Sequence, residues 1–173
     1  MPSRDTQAAI YIENVEFFIA KLSRFCKDVS PEEMVWSPPG VRNALSWIVP
    51  HCAGLLWASY ARVFERPVPE HVKKTGIAPS LAKGVEFGRC EDAPPGTTCE
   101  ACMEGLHSAW NVLREALQED DATWESRTLT YERKERSVWA LLWHTLADLC
   151  YHTGQASTVR KLIARQRRRG NST

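Results

Sequence analysis

His144, Asp148 and His152 fall four residues apart in residues 138–159 (VWALLWHTLADLCYHTGQASTV), a segment that is otherwise largely apolar. On a helix each step of four turns a side chain by only about 40°, so the three groups form one row about two turns long. Asp148 and His152 can then meet a common ligand on a wall of the protein interior. Between Val138 and Tyr151 the only polar side chains are His144, Thr145 and Asp148, and no Lys or Arg stands there to pair with the acid. An isolated buried carboxylate is costly enough that it is normally protonated, paired or metal-bound. A divalent metal is the economical partner, provided a third ligand comes from elsewhere.

A second hydrophobic segment, residues 44–64 (ALSWIVPHCAGLLWASYARVF), offers one in His51, which sits between apolar turns. If the two segments pack as neighbouring helices, His51, Asp148 and His152 give a three-ligand N,O,N site with open positions. Such incomplete coordination marks a catalytic metal rather than a structural one. The plainer alternative is a set of core histidines with backbone partners, and spacing alone leaves both readings open.

The elements that must position these groups are four helices. Tyr11, Val15, Phe18, Ile19, Leu22 and Phe25 recur at helical spacing and place a first helix over about 5–28. Ser30, Pro31 and the SPPG of residues 37–40 break the chain, and a second helix follows over about 43–65. Pro50 inside it predicts a kink or a restart beside His51. Residues 66–98 hold five prolines and four glycines, which predicts a long, mostly irregular crossover, the kind of connection that often lines a site. Cys102, Leu106, Trp110, Leu113 and Leu117 mark a third helix. TLTY at 128–131 reads as a short extended piece, and the fourth helix runs from about Ser137 to Gln166. The expectation is an all-α four-helix bundle with a long crossover between helices 2 and 3, as a single domain over residues 1–173.

Composition excludes more than it assigns. A 173-residue chain with 43% hydrophobic and 25% charged residues is sized for one well-cored domain. Its net charge of +1 predicts no polyanionic or membrane partner. The N-terminus lacks the apolar run of a secretory signal, so the expected location is the cytoplasm, where six cysteines are not expected to form a disulfide framework. From Arg160 to Arg169 six basic residues occur with no acid. No aromatic is interleaved to stack on bases, and basic residues favour helix C-termini electrostatically, so nucleic acid is not the expected partner. Cys26, Cys52 and Cys150 read as small buried hydrophobes. Cys99 and Cys102 form a CxxC at a helix start, where Thr97 and Glu100 have capping-box spacing and the helix N-terminus lowers a thiol pKa. With Cys90 and His107 they offer a Cys3His zinc site, or alone a redox pair. Their spacing matches no standard zinc module, and solvent-near structural thiols are the favoured reading.

Residues 36–54 (WSPPGVRNALSWIVPHCAG) and 144–155 (HTLADLCYHTGQ) resemble the DinB/YfiT-like superfamily over nearly the whole chain. That resemblance implies a four-helix bundle with a long crossover between helices 2 and 3. His51 matches the histidine that follows a hydrophobic run in the family's second helix. Asp148, His152, Thr153, Gly154 and Gln155 match a late H-x3-H-R-G-Q pattern, with Asp148 standing where a histidine is usual. A carboxylate at that position is similar to the branch containing mycothiol-dependent maleylpyruvate isomerase. The resemblance thus implies His51, Asp148 and His152 as ligands of zinc first or nickel second, with His144 as an outer residue supporting the site. It also implies a low-molecular-weight thiol, a small-molecule substrate, and Trp47, Trp143, Tyr151 and Gln155 as pocket residues. Gly154 is expected to allow close helix packing. The implied function is a thiol-dependent transferase or isomerase acting on a small electrophile. A metal-dependent hydrolase using activated water and a non-catalytic ligand-binding bundle are the alternatives. Bundles of this type often pair through a helix face, and an exposed Trp124 is expected to offer one for a homodimer.

Overall fold

Apolar residues at helical spacing build four long helices, and their faces meet in one core. The computed structural model describes residues 4–40, 43–67, 97–119, 123–131 and 133–170. In chain order these form α1 (Arg4–Cys26), a short α2 (Pro31–Val35), α3 (Leu45–Phe64), α4 (Cys99–Leu117), a 3-10 turn (Thr123–Ser126), β1 (Thr128–Tyr131), β2 (Lys134–Ser137) and α5 (Val138–Gly170). The architecture is mainly α, as the periodicity predicts. The two strands pair antiparallel, Thr128 opposite Ser137 and Tyr131 opposite Lys134, and they include the extended TLTY piece. Most of the crossover after α3, residues 68–96, lies outside the described residues, and Cys90 with it.

Among the long helices, α3 packs on α4 and α5, and α1 packs on α5 and α4, so each has two neighbours in a closed ring. Tyr11, Val15, Ile19 and Leu22 supply the buried stripe of α1. α3 is apolar almost all round, as a helix flanked on several sides must be. It runs through Pro50 without a restart. Its C-terminus, where Glu65 turns left-handed at φ 53°, is closed by Arg127. That guanidinium donates to the Val63 carbonyl and pairs with Glu65 at 2.5 Å, satisfying an end-of-helix carbonyl. Arg66 and Glu119 form a two-pronged ion pair that ties the end of α3 to the end of α4.

Where α3 meets α5, one polar pin crosses the core. The Thr145 hydroxyl donates to the Leu141 carbonyl at 3.2 Å, and Ser59, 2.7 Å away, donates to Thr145. Both residues are buried. The short helix α2 is absent from the sequence expectation, which reads Ser30 and Pro31 only as a break. Those same residues start it: Ser30 accepts from the Glu33 backbone, Glu33 reaches back to the Ser30 N–H, and Pro31 occupies the first turn. Glu33 is also paired with Arg167 near the end of α5, and Arg167 and Arg160 donate to the Asp28 and Lys27 carbonyls. These contacts give two of the basic residues of the tail a structural role.

Three packing expectations are corrected. Trp124 is 4% exposed rather than free for pairing, because the 3-10 turn folds its ring against Phe64 and Trp139. Cys150 is exposed, on the outer side of α5, whereas Cys26 and Cys52 are buried as expected. The cap of α4 is Thr98, whose hydroxyl accepts from the Ala101 N–H, and not Thr97.

Two predictions follow from the polar contacts. Thr145→Val leaves the Ser59 hydroxyl buried without its acceptor and is expected to cost about 1–2 kcal/mol in denaturant melts. Adding Ser59→Ala is expected to recover part of that loss, because no hydroxyl then remains to be satisfied. Glu33→Gln is expected to cost up to about 1 kcal/mol at neutral pH. The hydrogen bond from Arg167 holds the Glu33 carboxyl below its ordinary pKa, so its contribution is complete above that ordinary value. As pH falls through the lowered pKa the contribution disappears, and parent and variant melts are expected to converge in acid.

Candidate metal centre

Two imidazoles from different helices meet ring against ring. His51 on α3 and His152 on α5 are both buried, with ring centroids 4.5 Å apart and nearly perpendicular planes. Trp47, one turn before His51, stacks on it at 4.4 Å and presents its edge to His152 at 5.4 Å. Burial, with the neighbouring His152 second, pushes the His51 pKa down to about 4, so at neutral pH the ring is an uncharged base.

The tautomer of His152 is set by its surroundings. Its Nδ1 lies 2.9 Å from Gln155 Oε1, which can only accept, so Nδ1 carries the proton and Nε2 the lone pair. Gln155 is itself oriented by Asn43, whose amide donates to the same oxygen at 3.4 Å. A second hydrogen bond that fixes ring orientation and exposes the other nitrogen is how metal-ligating histidines are generally held. Two imidazoles and a carboxylate one helical turn from the second are a donor set suited to a divalent cation such as zinc. The residues therefore fit the implied metal in type.

Asp148 stands differently from the sequence expectation. Its side chain is 35% exposed rather than sunk in hydrocarbon, and its Oδ2 lies 3.5 Å from His144 Nε2. His144 is exposed, not on an inward wall, and its Nε2 also lies 3.4 Å from the Tyr131 hydroxyl of β1. The row of three on α5 thus spans a gradient from exposed His144 through half-buried Asp148 to buried His152. As arranged, no group of three His, Cys, Asp or Glu side chains among the described residues is closed around a metal position.

Of the expected pocket residues, Trp47, Gln155 and Tyr151 surround the histidine pair. The Tyr151 ring lies 5.1 Å from His152 and is 62% exposed. Trp143 is directed elsewhere, with its ring edge-on to Tyr11 at 5.8 Å. Asn43 and Tyr131 belong to this network without a signal in the sequence, since a single amide or phenol at an element's edge has no periodicity to betray it. Gly154 is exposed, and a Cβ there would meet nothing within 4 Å, so it does not serve close packing. The remaining thiols also depart from expectation. Cys99 and Cys102 are buried rather than solvent-near, the Cys99 thiol hydrogen-bonds to that of Cys26, and His107 is exposed.

These features define a mainly helical protein with a paired-imidazole centre between two of its long helices. The family model of mycothiol-S-transferase matches residues 12–165, and the chain belongs to that DinB/YfiT-like family. No curated protein matches the chain significantly. No helix among the described residues is long and apolar enough to cross a membrane.

Because Gly154 lies in the interior of α5 facing open space, Gly154→Ala is expected to raise stability by about 1 kcal/mol. In a chain of this size that is a rise of about 2–4 °C in melting temperature by calorimetry.

Proposed function

We propose that this chain is a metal-dependent transferase that joins a low-molecular-weight thiol, mycothiol by family, to a small electrophile, with His51, Asp148 and His152 as the metal ligands. The observation that carries the reading is the buried His51–His152 pair, with His152 held by Gln155 in the tautomer that presents Nε2. We read the closed ring of long helices as a four-helix bundle, in one domain, that brings the two histidines together.

A divalent cation at this position, zinc first and nickel second, supplies Lewis acidity that lowers the pKa of a thiol bound to it. The chain's own residues do the rest. His51 offers a nitrogen lone pair because burial keeps it uncharged, and His152 presents Nε2 because Gln155 holds its Nδ1. His144 acts through Asp148, holding its carboxylate by the contact at 3.5 Å, and is a positioning residue rather than one that touches the reacting atoms. Trp47 and Tyr151 give apolar walls beside the imidazoles, suited to an electrophilic carbon skeleton. In the transfer the thiol sulfur forms a bond to the electrophilic carbon, the leaving group departs with its bonding pair, and the thiol proton passes to solvent.

Elemental analysis of protein purified without a metal-affinity tag is the test. About one equivalent of zinc or nickel is expected in the parent and none in His152→Ala, with turnover only when thiol is supplied. Turnover of an ester or amide without thiol would indicate a hydrolase using activated water. A parent that takes up no metal after incubation with zinc would overturn the metal reading and leave a ligand-binding bundle.

A further inference from the structure

The C-terminus of α1 meets the N-terminus of α4, and each end carries a cysteine. Cys26 is the last residue of α1 and Cys99 the first of α4. Their thiols hydrogen-bond to each other across the junction. The CxxC spacing suggests Cys102 as the natural partner of Cys99, but the fold chooses a residue 73 positions earlier. Cys26 and Cys99 are each 6% exposed, yet both reach the wall of one cavity of about 790 Å³, which Val29, Pro31 and Met103 also line.

The two sulfurs sit in opposite fields. The first turn of α4 directs backbone N–H groups and the positive end of its dipole at Cys99, which favours a thiolate there. Cys26 stands at the C-terminal, negative end of the α1 dipole, which favours the neutral thiol. The side chains act in the same sense on balance. The Cys26 hydrogen bond is the largest influence lowering the Cys99 pKa, and Arg160 adds to it against burial, Glu100 and Glu33. Cys26 is pushed up by its bond to Cys99 first and by burial second. Cys102, behind them, is pushed up to about 12 by burial and by Cys99, which leaves it a poor competitor as nucleophile.

We propose that Cys26 and Cys99 form a redox-active dithiol, in which Cys99 attacks hydrogen peroxide that enters through the cavity and Cys26 resolves the product as an intramolecular disulfide. In the first step the Cys99 thiolate attacks one peroxide oxygen, the O–O bond breaks, hydroxide leaves, and Cys99 becomes a sulfenic acid. In the second the Cys26 sulfur attacks Cys99, the S–O bond breaks, and the oxygen departs as water with the Cys26 proton. The two thiols lose two electrons and two protons in all, and the peroxide is reduced to two waters. This site uses neither the histidine pair nor a metal, and it stands whether or not the transferase reading holds.

The experiment is peptide mapping of the reduced full-length chain after limiting hydrogen peroxide and alkylation. The expected product is a Cys26–Cys99 link, formed before exposed Cys150 is modified, although Cys150 is the more accessible thiol. In Cys26→Ser, or in Cys26→Ala should serine not be tolerated, Cys99 is expected to accumulate as a sulfenic acid trapped by a 1,3-diketone probe. In Cys99→Ser, Cys26 is expected to stay reduced. A link from Cys99 to Cys102 or Cys90 in the unmutated chain would overturn the pairing. Oxidation of Cys150 while Cys26 and Cys99 both remain alkylatable would overturn the site.

Discussion

Burial and the ring of His152 against it keep His51 from taking up a second proton and a positive charge, and this constraint organises the centre of the molecule. His51 and His152 come from helices far apart in sequence, and the contact between α3 and α5 both creates their proximity and removes the water that would let His51 charge. The same contact carries the Ser59–Thr145 hydrogen bond, so the helix pair is held by a directional bond as well as by apolar burial. A slip of either helix by one residue would rotate the imidazoles apart by about 100° and leave the Ser59 hydroxyl without its acceptor in the core. The polar pin and the paired bases therefore specify one register together, which hydrophobic packing alone specifies less sharply.

The helix ends follow a different logic. Each leaves backbone groups that need partners, and at several of them the chain answers with arginine at C-termini and with hydroxyls at N-termini. Arg127 closes α3, Arg160 and Arg167 reach the carbonyls after α1, Ser30 starts α2 and Thr98 starts α4. The basic tail of α5 lies on the loop and short helix that follow α1. A segment that in composition resembles a polyanion-binding arm thus spends part of its charge inside the molecule.

The long helices, the strand at TLTY and the meeting of His51 with His152 were legible in the sequence, because periodicity fixes a buried face and an apolar helix bearing one histidine must bury it. What escaped is set by contacts that period does not encode. Asp148 lies on the same row as His152, yet a side chain at the margin of a buried stripe can turn to its neighbour one turn away, and here it faces His144. Gly154 reads as a packing glycine only if a partner helix stands opposite it, and none does. Trp124 reads as exposed because it sits in a short polar turn, and the structure folds that turn under Phe64. Cys99 has its redox-suited neighbour not three residues on but at the end of α1, a pairing that only the arrangement of helices reveals.

The two kinds of reactive group occupy different places along the helices. In the interior of α3 burial is the larger influence on His51, with the neighbouring His152 second, and it favours an uncharged imidazole with a lone pair to offer. At the junction of α1 and α4 the hydrogen bond between Cys26 and Cys99 is the largest influence on both thiols, raising the proton affinity of the first and lowering that of the second, so two identical groups come to differ within one contact. A ligand set needs groups that hold lone pairs ready to offer. A dithiol that reacts in order needs groups that differ. The chain obtains the first from helix interiors and the second from helix ends, using the same rods and no additional element.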